Sequence, residues 1–278
     1  MMDLFDRLSI RCSRITTEMY STSFCIGINC LQQKLRDPIY AIYGFVRFAD
    51  EIVDTFHDFD KEDLLQQFKK DTFSAIEKKI SLNPILHSFQ FTVNQYKIEK
   101  ELIIMFLKSM EMDLKKSRYN ADEIQEYIVG SAEVVGLMCL RVFCDGNNHL
   151  YHRLAPYARS LGSAFQKVNF LRDLDADYNG LGRLYFPGII MDQWDASCKT
   201  NIEKNIAADF NEALIGIKLL PKSARFGVYV AYIYYMSLFK KIKNTPPELI
   251  LAKRIRIANG VKARLLAYSF LKHQFNLL

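Results

Sequence analysis

Residues 43–54 read Tyr43-Gly44-Phe45-Val46-Arg47-Phe48-Ala49-Asp50-Glu51-Ile52-Val53-Asp54, and residues 173–177 read Asp173-Leu174-Asp175-Ala176-Asp177. Each stretch holds an Asp-x-x-x-Asp pair inside apolar, helix-forming sequence. On an α-helix, residues four apart share a face about 6 Å apart along the axis, so each pair points two carboxylates the same way. Counting back from Asp54 at helical intervals gives Asp50, Arg47 and Tyr43; from Asp177 it gives Asp173, Asn169, Gln166 and Gly162. That register normally buries Leu and Ile. Buried carboxylates are costly unless paired or metal-bound, so the pattern predicts a cavity that takes divalent cations and a polyanion. Asp175 falls on a different face and reads as a solvent-exposed acid.

The rest of the chain predicts an all-α fold. Asp37-Pro38 marks a helix start, a cap followed by Pro. Asp60 opens an amphipathic helix over 61–80, Asn83-Pro84 starts another, and 99–115 reads as the next. Residues 122–143 are long and apolar, interrupted by Gly130 and Gly136, and 151–178 carries the second acidic pair. Asn179-Gly180-Leu181-Gly182 breaks that helix. Helical stretches at 203–219, 222–243 and 247–274 follow, punctuated by Pro221 and Pro246-Pro247. No sustained alternation demands a sheet. Gly130, Gly136 and Gly162 each cost a helix roughly 1 kcal/mol relative to Ala; close helix packing and close approach of a bulky ligand both explain them.

Composition bounds the function. With 278 residues, half of them apolar, and no linker, low-complexity run or repeat, the chain is expected to form one domain over 1–278. Its 20 Phe and 15 Tyr suit a wide core or an aromatic-lined pocket. Asp3, Asp6 and Arg7 precede any apolar run, so no signal peptide is expected. The uncharged stretch 226–239 is 14 residues, short of the roughly 20 needed to span a bilayer. Six cysteines without CxxC spacing predict reduced thiols and a cytoplasmic protein. His149 and His152 lack a third ligand nearby and read as surface residues. The net charge of +6 is concentrated toward the C-terminus at Lys240, Lys241, Lys243, Lys253, Arg254, Arg256, Lys262 and Arg264. No nucleic-acid motif accompanies these, and no nucleic-acid partner is expected. Anionic lipid headgroups, an internal anion site and a solvated helix face all remain open.

The two acidic pairs could hold two or three Mg²⁺ ions around a diphosphate, because Mg²⁺ takes one or two carboxylates plus substrate phosphate oxygens; Mn²⁺ would serve similarly. Arg47 offers a forked donor to phosphate oxygens. Lewis-acid help to a departing diphosphate would leave an allylic carbocation. Ring faces such as Tyr43 or Phe24 would stabilise that cation.

Ser21-Thr22-Ser23-Phe24 and 42–54 resemble the first signature of the squalene/phytoene synthases. Gly162-Ser163-Ala164-Phe165-Gln166-Lys167-Val168-Asn169-Phe170-Leu171-Arg172-Asp173, continuing to Asp177 and Gly182-Arg183-Leu184-Tyr185-Phe186-Pro187, resembles the second. The resemblance runs from about residue 15 to about 265. It implies an all-α isoprenoid-synthase bundle around a central cavity and Mg²⁺-dependent head-to-head condensation of two prenyl diphosphates through a cyclopropyl intermediate. It also implies that Asp50, Asp54, Asp173 and Asp177 hold the metal ions. Ser21, Ser23, Arg47, Gln166, Asn169 and Arg172 would contact diphosphate or its metals. Tyr43 and Tyr127 would border the reacting carbons, and Tyr185, Tyr235 and Arg254 would close over the diphosphates. One segment, 127–136, departs from the family: Val129 stands where a second Tyr is typical and Glu133 where Gly is typical. Glu133 is expected to face outward or another helix.

The leading expectation is a phytoene synthase that condenses two geranylgeranyl diphosphates through prephytoene diphosphate. No Gly-x-Gly-x-x-Gly fingerprint is present, in keeping with a product made without NADPH. The rival within the family makes squalene or dehydrosqualene from farnesyl diphosphate; the rival of another class is a non-catalytic binding or assembly relative. Monomeric state and peripheral membrane contact are further expectations.

Overall fold

A computed structural model describes residues 3–186, 194, 196–251 and 254–274. Pro187 and Lys253, both singled out above, lie outside the described residues. Thirteen α-helices follow one another among the described residues: α1 (Asp3–Tyr20), α2 (Thr22–Asn29), α3 (Gln33–Asp54), α4 (Lys61–Lys78), α5 (Pro84–Tyr96), α6 (Lys100–Lys115), α7 (Ala121–Ile128), α8 (Val134–Cys144), α9 (Asn148–Asp175), α10 (Ala196–Leu219), α11 (Lys222–Lys243), α12 (Pro247–Ile250) and α13 (Asn259–Gln274). The β pairing among the described residues is one isolated bridge, Arg118 to Leu184. The all-α expectation holds.

Several boundaries fall where local chemistry sets them. Asp60 caps α4 by accepting from the Asp63 amide at 3.0 Å, Asn83 caps α5 ahead of Pro84, and Asn120 with Glu123 forms a reciprocal capping box on α7. Other boundaries correct the sequence reading. α3 begins at Gln33, so Pro38 lies inside the helix; the extra turn buries Leu35, which is 1% exposed. The stretch 247–274 is not one helix. Ile250 and Ile255 are both buried, and the non-helical chain at 254–258 carries Arg254 back toward α9.

The interruption at Gly130 is a π-helical turn, Val129–Glu133, and α9 likewise gives way to a π turn, Ala176–Gly180. Such turns widen the spiral to i→i+5 bonds, as Leu181 N–H to Ala176 O at 3.1 Å illustrates. The run Ala121–Cys144 is long and apolar enough to cross a membrane, but more than half of it is buried inside the fold. Here it serves as core.

Two apolar clusters adjoin. One centres on Phe45, stacked on Phe89 at 3.8 Å and surrounded by Phe68 and Phe106; the other gathers around Phe210, Phe170 and Tyr185. α9 touches α8, α10 and α11 and so bridges them. Close backbone approach makes that possible. A Cβ on Gly162 would fall 2.6 Å from the Ala132 carbonyl oxygen, and one on Gly136 2.8 Å from the Ala158 carbonyl oxygen. These glycines are packing residues first. Glu133, in the π turn, is buried and pairs with Arg159 on α9 (3.2 Å), so it faces a neighbouring helix.

α1 is built inside out. Its buried face is Ser9, Ser13, Thr16 and Thr17, while Leu4, Leu8, Ile15 and Met19 are exposed. The buried hydroxyls are satisfied by carbonyls one turn back and by a Ser13–Ser88 hydrogen bond of 2.7 Å.

Gly162→Ala is expected to destabilise the fold by about 1–3 kcal/mol, because a backbone carbonyl cannot move aside cheaply. Gly260→Ala, with nothing within 4 Å of the added methyl, is expected to leave the thermal midpoint unchanged or raise it. Equal losses in thermal denaturation would contradict this assignment.

Candidate active site

One cavity of about 500 Å³ runs between the two cores. α3 lines it with Ile39, Ile42, Tyr43, Val46, Arg47, Asp50 and, at its last residue, Asp54. α9 lines it with Leu154, Ala158, Leu161, Phe165, Gln166, Asn169 and Asp173, and the π turn adds Asp177. Where they line the cavity, both helices present mainly apolar residues from their earlier turns and acids at their C-terminal ends. Both acidic pairs therefore arrive at one end of one chamber, as the spacing predicted. The α-helical i,i+4 picture holds for Asp50 and Asp54 but not for Asp173 and Asp177, because Asp177 sits in the widened turn.

Acids at helix C-termini are disfavoured by the helix dipole, and the last turn of α3 contains no basic residue of its own. Distant arginines compensate. Arg183 donates to Asp54 at 2.6 Å, and Arg254 pairs with Asp173 at 2.7 Å. Arg172 also grips Asp173, donating through Nε at 3.0 Å. Arg47 pairs with Glu51, lies 4.0 Å from Asp50 and stacks its guanidinium 4.2 Å from the Tyr20 ring centroid. Asp50 lies deep in the molecule, although the cavity leaves 32% of its side chain open. Burial, then the neighbouring Asp54, pushes its carboxyl up to about 8, with Arg47 pulling the other way. Burial and Asp173 push Asp177 up to about 7.

Most of the sequence-predicted residues meet here. Ser21 caps α2 through the Phe24 amide and lines the cavity, as do Phe24, Tyr43, Tyr127, Gln166, Arg172, Tyr185, Tyr235 and Arg254. The Tyr235 hydroxyl donates to Asn169 at 3.2 Å, and its ring stacks on Phe165 at 3.9 Å. Burial pushes the Tyr43 hydroxyl up to about 12. Ser23 does not line the cavity. α2 turns the stripe Phe24, Gly27, Ile28 inward, and Ser23 lies off it. Asp175, half-buried, accepts from Asn179 at 2.8 Å and points away from the chamber. His149 and His152 are exposed.

Two residues given no role from sequence are central. Asp113 is buried and accepts from the hydroxyls of Tyr119 (2.9 Å), Tyr127 (2.6 Å) and Tyr185 (2.8 Å). Arg183 lies 4.0 Å from it and links it to Asp54. Ile103, Phe106, Met110 and Asp113 are spaced three, four and three apart, so the acid occupies a core register, the same signal that exposed Asp50. Tyr127 and Tyr185 are therefore tied to Asp113 through their hydroxyls and offer the chamber their rings.

The donor set at the acidic end is all oxygen, which suits a hard divalent cation. Among the described residues no three acidic, His or Cys side chains converge on one point. A metal shell there would be completed by substrate phosphates and water. Among the described residues the buried Arg47 Nε and Ser131 hydroxyl find no partner, and both residues line the cavity. The orphaned guanidinium nitrogen beside crowded carboxylates fits a bound anion bridged to the acids by cations.

The raised carboxyls set a pH dependence. Asp50 and Asp177 ionise in the unfolded chain near the ordinary value of 3.8 but resist ionisation when folded. Their cost to stability is thus absent below about pH 4, grows as the unfolded state ionises, and is complete above about pH 8. Asp50→Asn, measured without divalent cations, is expected to raise the thermal midpoint by a few degrees at pH 8.5 and to change little at pH 4. A midpoint shift that does not vary with pH would contradict the assignment.

Residues 17–260 match the family model for squalene/phytoene synthase. A chloroplastic phytoene synthase from Narcissus pseudonarcissus is 28% identical over 264 residues, covering 84% of this chain and 59% of that protein. A 4,4'-diapophytoene synthase from Staphylococcus haemolyticus is 24% identical over 196 residues, covering 68% and 66%. The chain spans about three fifths of the length of the plant phytoene synthases it matches. Among solved structures, a dehydrosqualene synthase superposes with a TM-score of 0.81 at 19% identity over 98% of this chain and 99% of that one. A squalene synthase from Alicyclobacillus acidocaldarius gives 0.75 at 20% identity over 86% and 94%. The solved structures share the fold, the family model covers most of the chain, and the chain belongs to the squalene/phytoene synthase family.

Proposed function

We propose that this chain is a phytoene synthase: a single catalytic domain that condenses two geranylgeranyl diphosphates to prephytoene diphosphate, which ionises again and loses a proton to give phytoene. The observation that carries this reading is the partition of one chamber into an acid-and-arginine end and an apolar, aromatic remainder. That is the division a substrate with a diphosphate head and a prenyl tail requires. The family membership supports head-to-head prenyl condensation, and the phytoene synthases among the relatives support the C40 choice.

Asp50, Asp54, Asp173 and Asp177, with Asn169, would hold Mg²⁺. When bound, Mg²⁺ acts as a Lewis acid on the diphosphate leaving group. Arg47 donates its unpartnered Nε to a phosphate oxygen. Arg172 and Arg254 exchange Asp173 for diphosphate oxygens, a trade of one charge-assisted bond for another. Phe24, Tyr43, Phe165 and Tyr235 present ring faces to the developing allylic cation, and the apolar wall excludes the water that would quench it. Asp113 anchors Tyr127 and Tyr185 so that their rings stay in place.

Incubation of the protein and Mg²⁺ with geranylgeranyl diphosphate is expected to yield phytoene without NADPH. Farnesyl diphosphate is expected to turn over at least about tenfold less efficiently. An exclusive C30 product would overturn the substrate assignment. Asp50→Ala and Asp173→Ala are each expected to lower turnover by about a hundredfold or more; unchanged product formation would remove the catalytic scheme and favour a binding relative.

We further read the protein as a cytoplasmic monomer that visits membranes through α1, whose exposed Leu4, Leu8, Ile15 and Met19 form one stripe, with Arg11 beside it and Arg7 and Arg14 paired to Asp3 and Glu18. Exposed apolar area on one helix face favours a bilayer surface. The protein is expected to float with anionic vesicles and to lose flotation on Leu4→Glu/Leu8→Glu/Met19→Glu. Failure of the wild type to float would exclude this docking.

A further inference from the structure

A second cleft of about 420 Å³ opens on the far side of Arg183. Its walls come from the turn after α3, the start of α4, the end of α6 and the segment 180–183. His57, Lys61, Lys115, Lys116 and Arg183 line it together with Ser117, against a single acid, Asp113. That acid is already occupied by three tyrosine hydroxyls. Lys116 pairs with Glu123 and Arg183 with Asp54.

Among the described residues no carboxylate lies at ion-pair distance from Lys61 or Lys115, although Lys61 feels the charge of Asp54 and Lys115 that of Glu111. The Lys61 ammonium instead lies 2.9 Å from His57 Nδ1 and donates to the Val53 carbonyl at 3.0 Å. Arg183 donates to that carbonyl as well, at 3.2 Å. Burial, and then repulsion from Arg183, lowers the Lys61 pKa. Capping the end of α3 accounts for the bond from Lys61 to Val53. It does not account for Lys115, the last residue of α6, and for Lys116 and Ser117 just after it, lining the same cleft. Lys61, Lys115, Lys116 and Arg183 share this concavity with one lining carboxylate, Asp113, and basic residues in excess around a concavity suit an anion.

We propose that this cleft binds inorganic diphosphate. Cations on opposing walls suit an anion with several separated charges better than a monoanion, and the serine hydroxyl and ammonium groups are donors to phosphate oxygens. The argument stands on the charges alone and does not require the catalytic reading above; where that reading holds, the ligand is the leaving group of the reaction. Arg183 is the wall between the two chambers. It bonds Asp54 from one side and lines the cleft on the other, so an anion in the cleft competes with Asp54 for the guanidinium.

The test is calorimetric titration of inorganic diphosphate into the full chain with divalent cations chelated. Binding in the sub-millimolar range that weakens with added salt is expected. Lys61→Gln/Lys115→Gln is expected to weaken it about tenfold or more, whereas Arg254→Gln, in the other chamber, is expected to leave it within about twofold. Binding by the double variant equal to wild type, loss of binding in Arg254→Gln, or no binding by the wild type would each overturn the proposal. Should Lys61→Gln disturb folding by circular dichroism, the exposed Lys115→Gln alone carries the test, with a loss of about threefold or more expected. Orthophosphate binding as tightly as diphosphate would overturn the assignment of the ligand.

Discussion

The repulsion among carboxylates at the C-terminal ends of α3 and α9 is the constraint on which the rest of this structure depends. Asp50, Asp54, Asp173 and Asp177 line one space, with Asp113 behind them. Their helices contribute further partial negative charge at the same end. Left alone, this assembly would push the helices apart or force protons onto the acids; the carboxyls of Asp50 and Asp177 are raised by burial first and by the neighbouring acids Asp54 and Asp173 second. Arg183 and Arg254 reach the cluster from the segments after α9 and α12, and Arg172 from α9 itself. The irregular stretches 181–186 and 254–258 thus have a physical purpose: a helix continuing in register would carry these guanidinium groups elsewhere.

The two π turns belong to the same solution. One lies between α7 and α8, where it buries Glu133 against Arg159 while Ser131 and Ala132 line the chamber. The other ends α9 and keeps Asp177 on the chamber side before the chain turns back to Arg183, whose amide donates to the Asp177 carbonyl at 2.7 Å. Gly162 and Gly136 let α9 approach the α7–α8 run at backbone distance. That approach brings the acid-bearing helix against the core without narrowing the cavity with side chains.

Much of this was legible in the sequence because it is periodic. Acids in a helical core register at 50/54 and 173/177 pointed to a shared chamber. The capping residues Asp60 and Asn83 fixed two helix starts to within a residue. Other features were not legible because they break periodicity. A π turn has no composition signature distinct from an interrupted helix, so the spacing predicts an α-helical pair where Asp177 in fact sits in a widened turn. Ser23 lay inside a matching motif but off the inward stripe of α2. The pattern over 247–274 predicts a helix through Arg254, whereas burial of Ile250 and Ile255 on either side of a break exposes it to Asp173. Asp113 carried the same core-register signal as Asp50 but had no partner acid four residues away to draw the eye.

The arrangement also explains why the arginines are shared rather than dedicated. A guanidinium bound permanently to one carboxylate would neutralise it and remove it as a ligand. None of the four here is dedicated to one carboxylate: Arg183 bonds Asp54 and also lines the basic cleft, Arg172 and Arg254 share Asp173, and Arg47 divides its contacts among Glu51, Asp50 and Tyr20. Exchanging one oxyanion for another at such a group costs little, because the bond lost and the bond gained are of the same kind. An acid cluster held together by exchangeable cations is stable when empty and still able to accept a metal-bridged diphosphate, whereas a cluster relieved by burial alone would have to unfold locally to do so.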